Sequence, residues 1–351
     1  MNKNRSKIML TSAIVAALFF TLLGIVLRAL ALFEAYRPST GYYDPAAASP
    51  SAFAILSLVL LPVLILLALV FRRAFVVPHW TSSIATLFAS ALLVLTLLVY
   101  TVSTLIALPS VADAYVATLT ALAAVFAVIF LVYLSAPLFG HEPKREGIQA
   151  YLPFALALFA LLLATALYFD KTTQMNHPPK GVHMIAFIAL ACYAVCEARH
   201  LLGRLKSPLA YVVTSAALFF TGAASVPNVL YSLASNRILV LSPVHDFVLL
   251  AAFFYLLARL LQMLPYKIPA VHPMTANLTE REKALTEEAA TTEAAVIEEA
   301  ATSKSTEEES ATLPTEDTAE EQTDAEKQSS AKKPRKKKSA PEDSAPAAEE
   351  A

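Results

Sequence analysis

Residues 83–134 read SIATLFASALLVLTLLVYTVSTLIALPSVADAYVATLTALAAVFAVIFLVYL, and Asp113 is their one charged residue. The apolar residues run on without alternating with polar ones, so this is not the pattern of a strand with one wet face. About 20 helical residues cross a hydrocarbon layer of about 30 Å, and this stretch holds two runs of that length on either side of Pro109 and Asp113. A backbone in lipid must satisfy its hydrogen bonds within the segment or within a closed barrel. Continuous runs therefore predict two transmembrane helices.

Outward from this pair the same pattern recurs. Eight spans are expected, over 8–33, 52–71, 83–107, 115–134, 150–169, 182–202, 208–233 and 247–264. The sixth is the weakest, with fifteen uncharged residues between Gly181 and Glu197. A re-entrant sixth segment would reduce the count to seven and separate the termini. The first span follows Lys3, Arg5 and Lys7, and its uncharged stretch over 8–27 exceeds the core of a signal peptide, so an uncleaved anchor is expected. The fold class is thus an all-α polytopic bundle over residues 1–268.

Composition divides the chain in the same place. Of 351 residues, 57% are hydrophobic, and all 33 aromatic residues precede position 270. Residues 1–270 carry 17 Lys and Arg against 8 Asp and Glu, net +9, whereas 271–351 carry 10 against 20, net −10. The first part has more apolar surface than a water-soluble domain can hide, which excludes a soluble enzyme. Over 269–351 the Ala/Glu/Thr-rich sequence has too little to bury against the entropy of ordering it, and a disordered tail is expected.

Basic residues in short loops set the orientation. With the N-terminus inside, ten bases before the tail fall on the inner side, among them Arg72, Arg73, Lys144, Arg145, Arg204 and Lys206. Arg37, Lys171, Lys180 and Arg237 fall outside. Both termini are then cytoplasmic. Arg28 and Arg259, near span ends, are expected to snorkel to water. Within the tail, Lys332, Lys333, Arg335, Lys336, Lys337 and Lys338 offer contact to anionic lipid, although acidic residues flank them. The other readings of the tail are solubilisation and an envelope protein partner, and no specific nucleic-acid binding is expected.

Candidate sites are few. No Lys and no mid-membrane Asp or Glu falls within the expected spans, which argues against a Schiff base or a carboxylate relay. Glu197 and Arg259 lie at similar depth near the inner ends of their spans and form a candidate ion pair. Thr214, Thr221, Ser225, Asn228 and Ser232 recur at helical spacing and form a candidate polar stripe on the seventh span. Such a stripe serves either as a hydrogen-bonded packing surface or as one wall of a small cavity opening outward, bounded by Asp246, Asp170 and Arg28. Cys192, Cys196 and His200 share one helical face, but no fourth zinc ligand is evident, so no metal and no cofactor is assigned. His183 and the other histidines lie at span ends or in loops, which suggests interfacial roles. The segment DKTTQMNHPPKG over 170–181 is expected to stay non-helical because of Pro178 and Pro179. No catalytic residue is named, because nucleophile, base and electrostatic stabiliser do not converge.

The strings RPSTGYYDP after Arg28, MNHPPKG before the sixth span and EARHLLGRLKSP at its end resemble uncharacterised multi-pass membrane proteins of gut Clostridia. That resemblance implies a bacterial cytoplasmic membrane and no known activity. Together these observations lead first to a noncatalytic scaffold or sensor-like envelope component, and alternatively to a transporter or permease using the stripe of the seventh span.

Overall fold

Every apolar run forms a helix. The computed structural model describes residues 3–75, 83–111, 113–139, 148–174, 176–235 and 243–264, so the tail at 269–351 and its basic cluster lie outside the described residues. The helices are α1 (Lys3–Leu30), α2 (Ala48–Val70), α3 (Ile84–Ala107), α4 (Ala114–Leu138), α5 (Pro153–Phe169), α6 (Pro178–Leu201), α7 (Ser207–Ser235) and α8 (Pro243–Leu261). Eight helical segments are long and apolar enough to cross a membrane, the sixth included. The chain is a multi-pass membrane protein.

Local chemistry explains where helices begin. Ser83 and Thr86 form a reciprocal capping box at α3, and Asp113 caps α4 by accepting from the Tyr115 amide at 3.0 Å. Pro153 opens α5, and Pro178 and Pro179 open α6. The last pair reverses one expectation. A proline in the first turn gives up only an N–H that had no helical partner, so these residues start the helix instead of delaying it. The sixth helix consequently begins before residue 182, and Lys180 and His183 lie inside it. α8 likewise begins at Pro243, which brings Asp246 into its first turn.

α3 to α8 form a closed ring in which each helix packs on the next and α8 returns to α3. α1 and α2 pack on one another and on α7. α7, the ring helix on which α1 and α2 pack, has 72% of its apolar stretch buried, against 17% for α3. Close approach around α7 depends on small residues. A Cβ on Gly24 would lie 2.3 Å from the Phe219 ring, and one on Gly222 would lie 2.8 Å from Phe253. Leu58, Phe88 and Ile106 belong to the exposed apolar surface, as side chains facing lipid do.

Between α1 and α2 a short antiparallel hairpin pairs Tyr36 with Tyr43 and Arg37 with Tyr42. Arg37 and Asp44 form an ion pair across its base. The face of the bundle bearing this hairpin also holds the ends of α3, α5 and α7 and the starts of α4, α6 and α8. It is called the hairpin face below, and the opposite one the amino-terminal face.

Candidate functional site

Two buried polar centres lie on α6 and α8. At the hairpin face, His183 Nε2 is 2.6 Å from Asp246 Oδ1, and Asn228 Nδ2 of α7 donates to the same oxygen at 3.3 Å. All three residues are buried. The other ring nitrogen, His183 Nδ1, is 2.9 Å from the carbonyl of Pro179. A carbonyl only accepts, so Nδ1 carries a proton. The Nε2–Oδ1 contact then holds one further proton, either as imidazolium beside carboxylate or as neutral imidazole beside carboxylic acid. Both states are neutral as a pair, which lowers the cost of keeping them out of water. Lys180 is also buried and donates to the carbonyls of Asp170 at 2.7 Å and Thr173 at 3.3 Å. Lys180 thus lies within α6, against the expectation that no Lys falls in a span, while Asp246, in the first turn of α8, is no mid-membrane acid.

Fourteen residues after His183 on α6, or about 21 Å at 1.5 Å per residue, lies Glu197. Its Oε1 accepts from Tyr133 OH of α4 at 2.9 Å, Tyr255 OH of α8 at 2.7 Å and Arg259 Nη2 at 2.8 Å. Arg259 Nε and Nη2 also donate to Tyr255 OH, at 3.1 and 2.8 Å. Gln262 accepts from Arg259 Nη1 at 3.3 Å and donates to Ser83 Oγ at 3.4 Å, linking the cluster to the start of α3. Glu197 and Arg259 therefore meet within a network spread over α4, α6 and α8. Arg259, expected to snorkel, is instead buried. The spacing of the two charges indicated their depth, but nothing near them in sequence pointed to Tyr133 or Tyr255. Glu197 Oε2 is buried and has no partner among the described residues.

The stripe on α7 faces inward but divides its bonds. Thr221 donates to the Ala217 carbonyl at 2.7 Å, and Ser225 donates to the Thr221 carbonyl at 2.7 Å, so both spend their protons on their own helix. Thr214 Oγ1 is buried without a partner among the described residues, and Ser232 is half-buried. Among the described residues, only Asn228 of the stripe donates to a side chain on another helix.

One open volume lies elsewhere among the described residues. A cavity of about 830 Å³ opens among α3, α4, α5 and the start of α8, with Tyr100, Thr104, Asp113, Asp170, Lys171 and His245 in its wall. Of the groups proposed to bound a cavity, Asp170 lines this one, while Ser225, Asn228, Asp246 and Arg28 do not. Lys171 lies 3.5 Å from Asp113 on its wall. Burial pushes the Asp170 carboxyl up, but hydrogen bonds from Thr172 and Thr173 and the nearby Lys180 charge outweigh it, leaving the pKa below its ordinary value. Asp113 is held low chiefly by its capping bond from the Tyr115 amide. The wall thus offers acidic, basic and hydroxyl groups beside aliphatic surface, the mixture by which pockets orient small polar molecules.

Cys192 is exposed and Cys196 buried. Among the described residues, no group of three His, Cys, Asp or Glu side chains is placed to hold a metal ion. Comparison with protein-family models, curated proteins and solved structures finds no match for the chain.

Proposed function

We propose that this multi-pass membrane protein is a noncatalytic transporter or permease for a small polar solute, admitted through the cavity among α3, α4, α5 and α8. The observation that carries this reading is the joint placement of that cavity and the buried His183–Asp246–Asn228 centre. His245 lines the cavity wall, and the next residue, Asp246, takes part in the proton-sharing contact. A scaffold needs neither a pocket nor a protonatable pair held inside its bundle, and retaining such groups away from water is costly. The scaffold or sensor reading rests on the long tail and on the absence of mid-membrane acids, and the burial of Asp246 against His183 weakens the second of these grounds.

In this proposal the hairpin face is the outer one and the amino-terminal face, with both termini, is cytoplasmic. The excess of Lys and Arg on the amino-terminal side supports that orientation. A bacterial cytoplasmic membrane is the setting suggested by the likeness to the Clostridial proteins. Tail contacts with an envelope partner or with anionic lipid would be additional to transport.

The reading is tested in proteoliposomes given a defined mixture of amino acids, sugars and organic acids, with internal solutes measured by mass spectrometry and internal pH by an entrapped dye. At least one solute should accumulate above empty vesicles, and Asp246→Asn should reduce that uptake about tenfold or more if the pair carries the coupling proton. Uptake equal to empty vesicles across the mixture counts against transport of these solute classes. Unchanged uptake by the variant removes Asp246 from the mechanism.

A further inference from the structure

Arg28 is near the end of α1 and is 1% exposed. Its Cζ lies 5.4 Å from the ring centroid of Tyr43 and 5.8 Å from that of Phe53. These faces attract the positive charge but accept no conventional hydrogen bond from its N–H groups. Nε and Nη2 are both buried, and neither has an acceptor among the described residues. Those two atoms form one side of the guanidinium fork, which two oxygens of a carboxylate or phosphate match bidentately.

Two other buried polar atoms nearby also lack partners among the described residues, Tyr43 OH and His177 Nδ1. Tyr36 OH is 3.0 Å from His177 Nε2. When the hydroxyl donates there, Nδ1 carries the ring proton and is itself a donor. The hairpin closes against this histidine, since a Cβ on Gly41 would lie 3.2 Å from the ring, and φ of +75° at that turn favours glycine. The described carboxylates are otherwise engaged or exposed. Asp44 pairs with Arg37, Asp170 accepts from Thr172 and Thr173, Asp246 meets His183, and Glu34 is exposed.

We propose that Arg28, Tyr43 and His177 form a buried receptor for one oxyanion group, a carboxylate or phosphate, beside the 36–43 hairpin. The guanidinium does not escape its burial by losing a proton, so an external acceptor supplies the missing countercharge. The ligand is either a water-borne anion or a lipid headgroup. This site is separate from the transport reading, since Arg28, Tyr43 and His177 do not line the cavity.

The test uses the full-length protein in phosphatidylcholine nanodiscs. Thermal unfolding is followed with sodium acetate, succinate or phosphate against sodium chloride of equal ionic strength, and in parallel discs containing phosphatidylglycerol. At least one oxyanion should raise the melting temperature above the chloride control. Arg28→Lys, which keeps the charge and loses the fork, should weaken that response about tenfold or more, and Arg28→Gln should abolish it. Tyr43→Phe, which keeps the ring, should weaken it about threefold to tenfold and serves if Arg28→Gln does not fold. Glu34→Gln should leave it unchanged. A response to soluble salts assigns a water-borne ligand, and a response confined to phosphatidylglycerol assigns a headgroup. The proposal is overturned by no oxyanion response in the wild type, or by a response that persists undiminished in the Arg28 and Tyr43 variants.

Discussion

Arg259 and Arg28 are both buried arginines beside tyrosines, one toward each face of the bundle. Arg259 has Tyr255 stacked against it, with its Cζ 5.0 Å from the ring centroid, and Glu197 at 2.8 Å. Arg28 has Tyr43 and Phe53 but no described carboxylate. The rings are alike in kind, so aromatic contact is not what separates the two sites. The difference is the countercharge: Arg259 meets Glu197, while Arg28 Nε and Nη2 meet no acceptor among the described residues. A closed pair mainly couples helices, whereas a cation with an open fork is suited to respond to something outside the chain.

Removing each arginine breaks that comparison most directly. Arg259→Met leaves Glu197 buried and uncompensated, and should cost about 3–5 kcal/mol in equilibrium unfolding. Arg28→Met leaves no charge behind, so in a neutral-lipid, oxyanion-free buffer it should be neutral or stabilising within about 1–2 kcal/mol. Equal destabilisation by the two changes would erase the distinction.

The His183–Asp246–Asn228 centre gives an intermediate case, because its charge can be neutralised by moving a proton within the contact. Asn228→Leu removes one donor to Asp246 and should cost about 1–3 kcal/mol, without the larger loss expected for Arg259→Met. Measured unfolding of the two variants side by side decides the order, and a greater loss at Asn228 would place the main polar anchor at the hairpin face.

The smallest effect concerns pH. Burial lowers the His177 pKa, and the Arg28, Lys180 and His183 charges push it further down. The folded protein therefore resists protonating this ring. Its contribution to stability is present above the unfolded value of about 6.5 and is lost as pH falls through the lower folded value. Melting temperatures taken from pH 7 to 5 in oxyanion-free buffer should fall less steeply for His177→Asn than for the wild type. An oxyanion bound beside Arg28 should reduce the difference by offsetting the neighbouring positive charge.

Much of this architecture was legible because lipid imposes a simple requirement. Runs such as 83–107 and 115–134 have to be helical to satisfy their backbones, and α3 and α4 cover both. Glu197 and Arg259 could be paired by depth alone. Arg28 could not be read as buried, because a charge near a span end ordinarily reaches water, and the turn formers and tyrosines over 36–45 indicate a compact loop without saying that it folds back over the arginine. His183, at the edge of its expected span, reads as interfacial for a related reason. Pro178 and Pro179 fit either a break or a helix start, and taking them as a break sets the expected span at 182, which leaves Lys180 outside it and His183 at its edge.

The sequence by itself determined how many helices cross, where apolar length suffices and where charge is tolerated, because those properties are local and the membrane reads them segment by segment. Which charges meet was decided only by the tertiary structure. Glu197 and Arg259 are 62 residues apart, and His183 and Asp246 are 63 apart. Their contact depends on α6 and α8 coming together in the ring, and the absence of a described acid beside Arg28 depends on what the hairpin, α2 and the α5–α6 connection place around it. Electrostatic pairing falls off over a few ångströms, so partner identity is a property of packing and not of the order of residues along the chain.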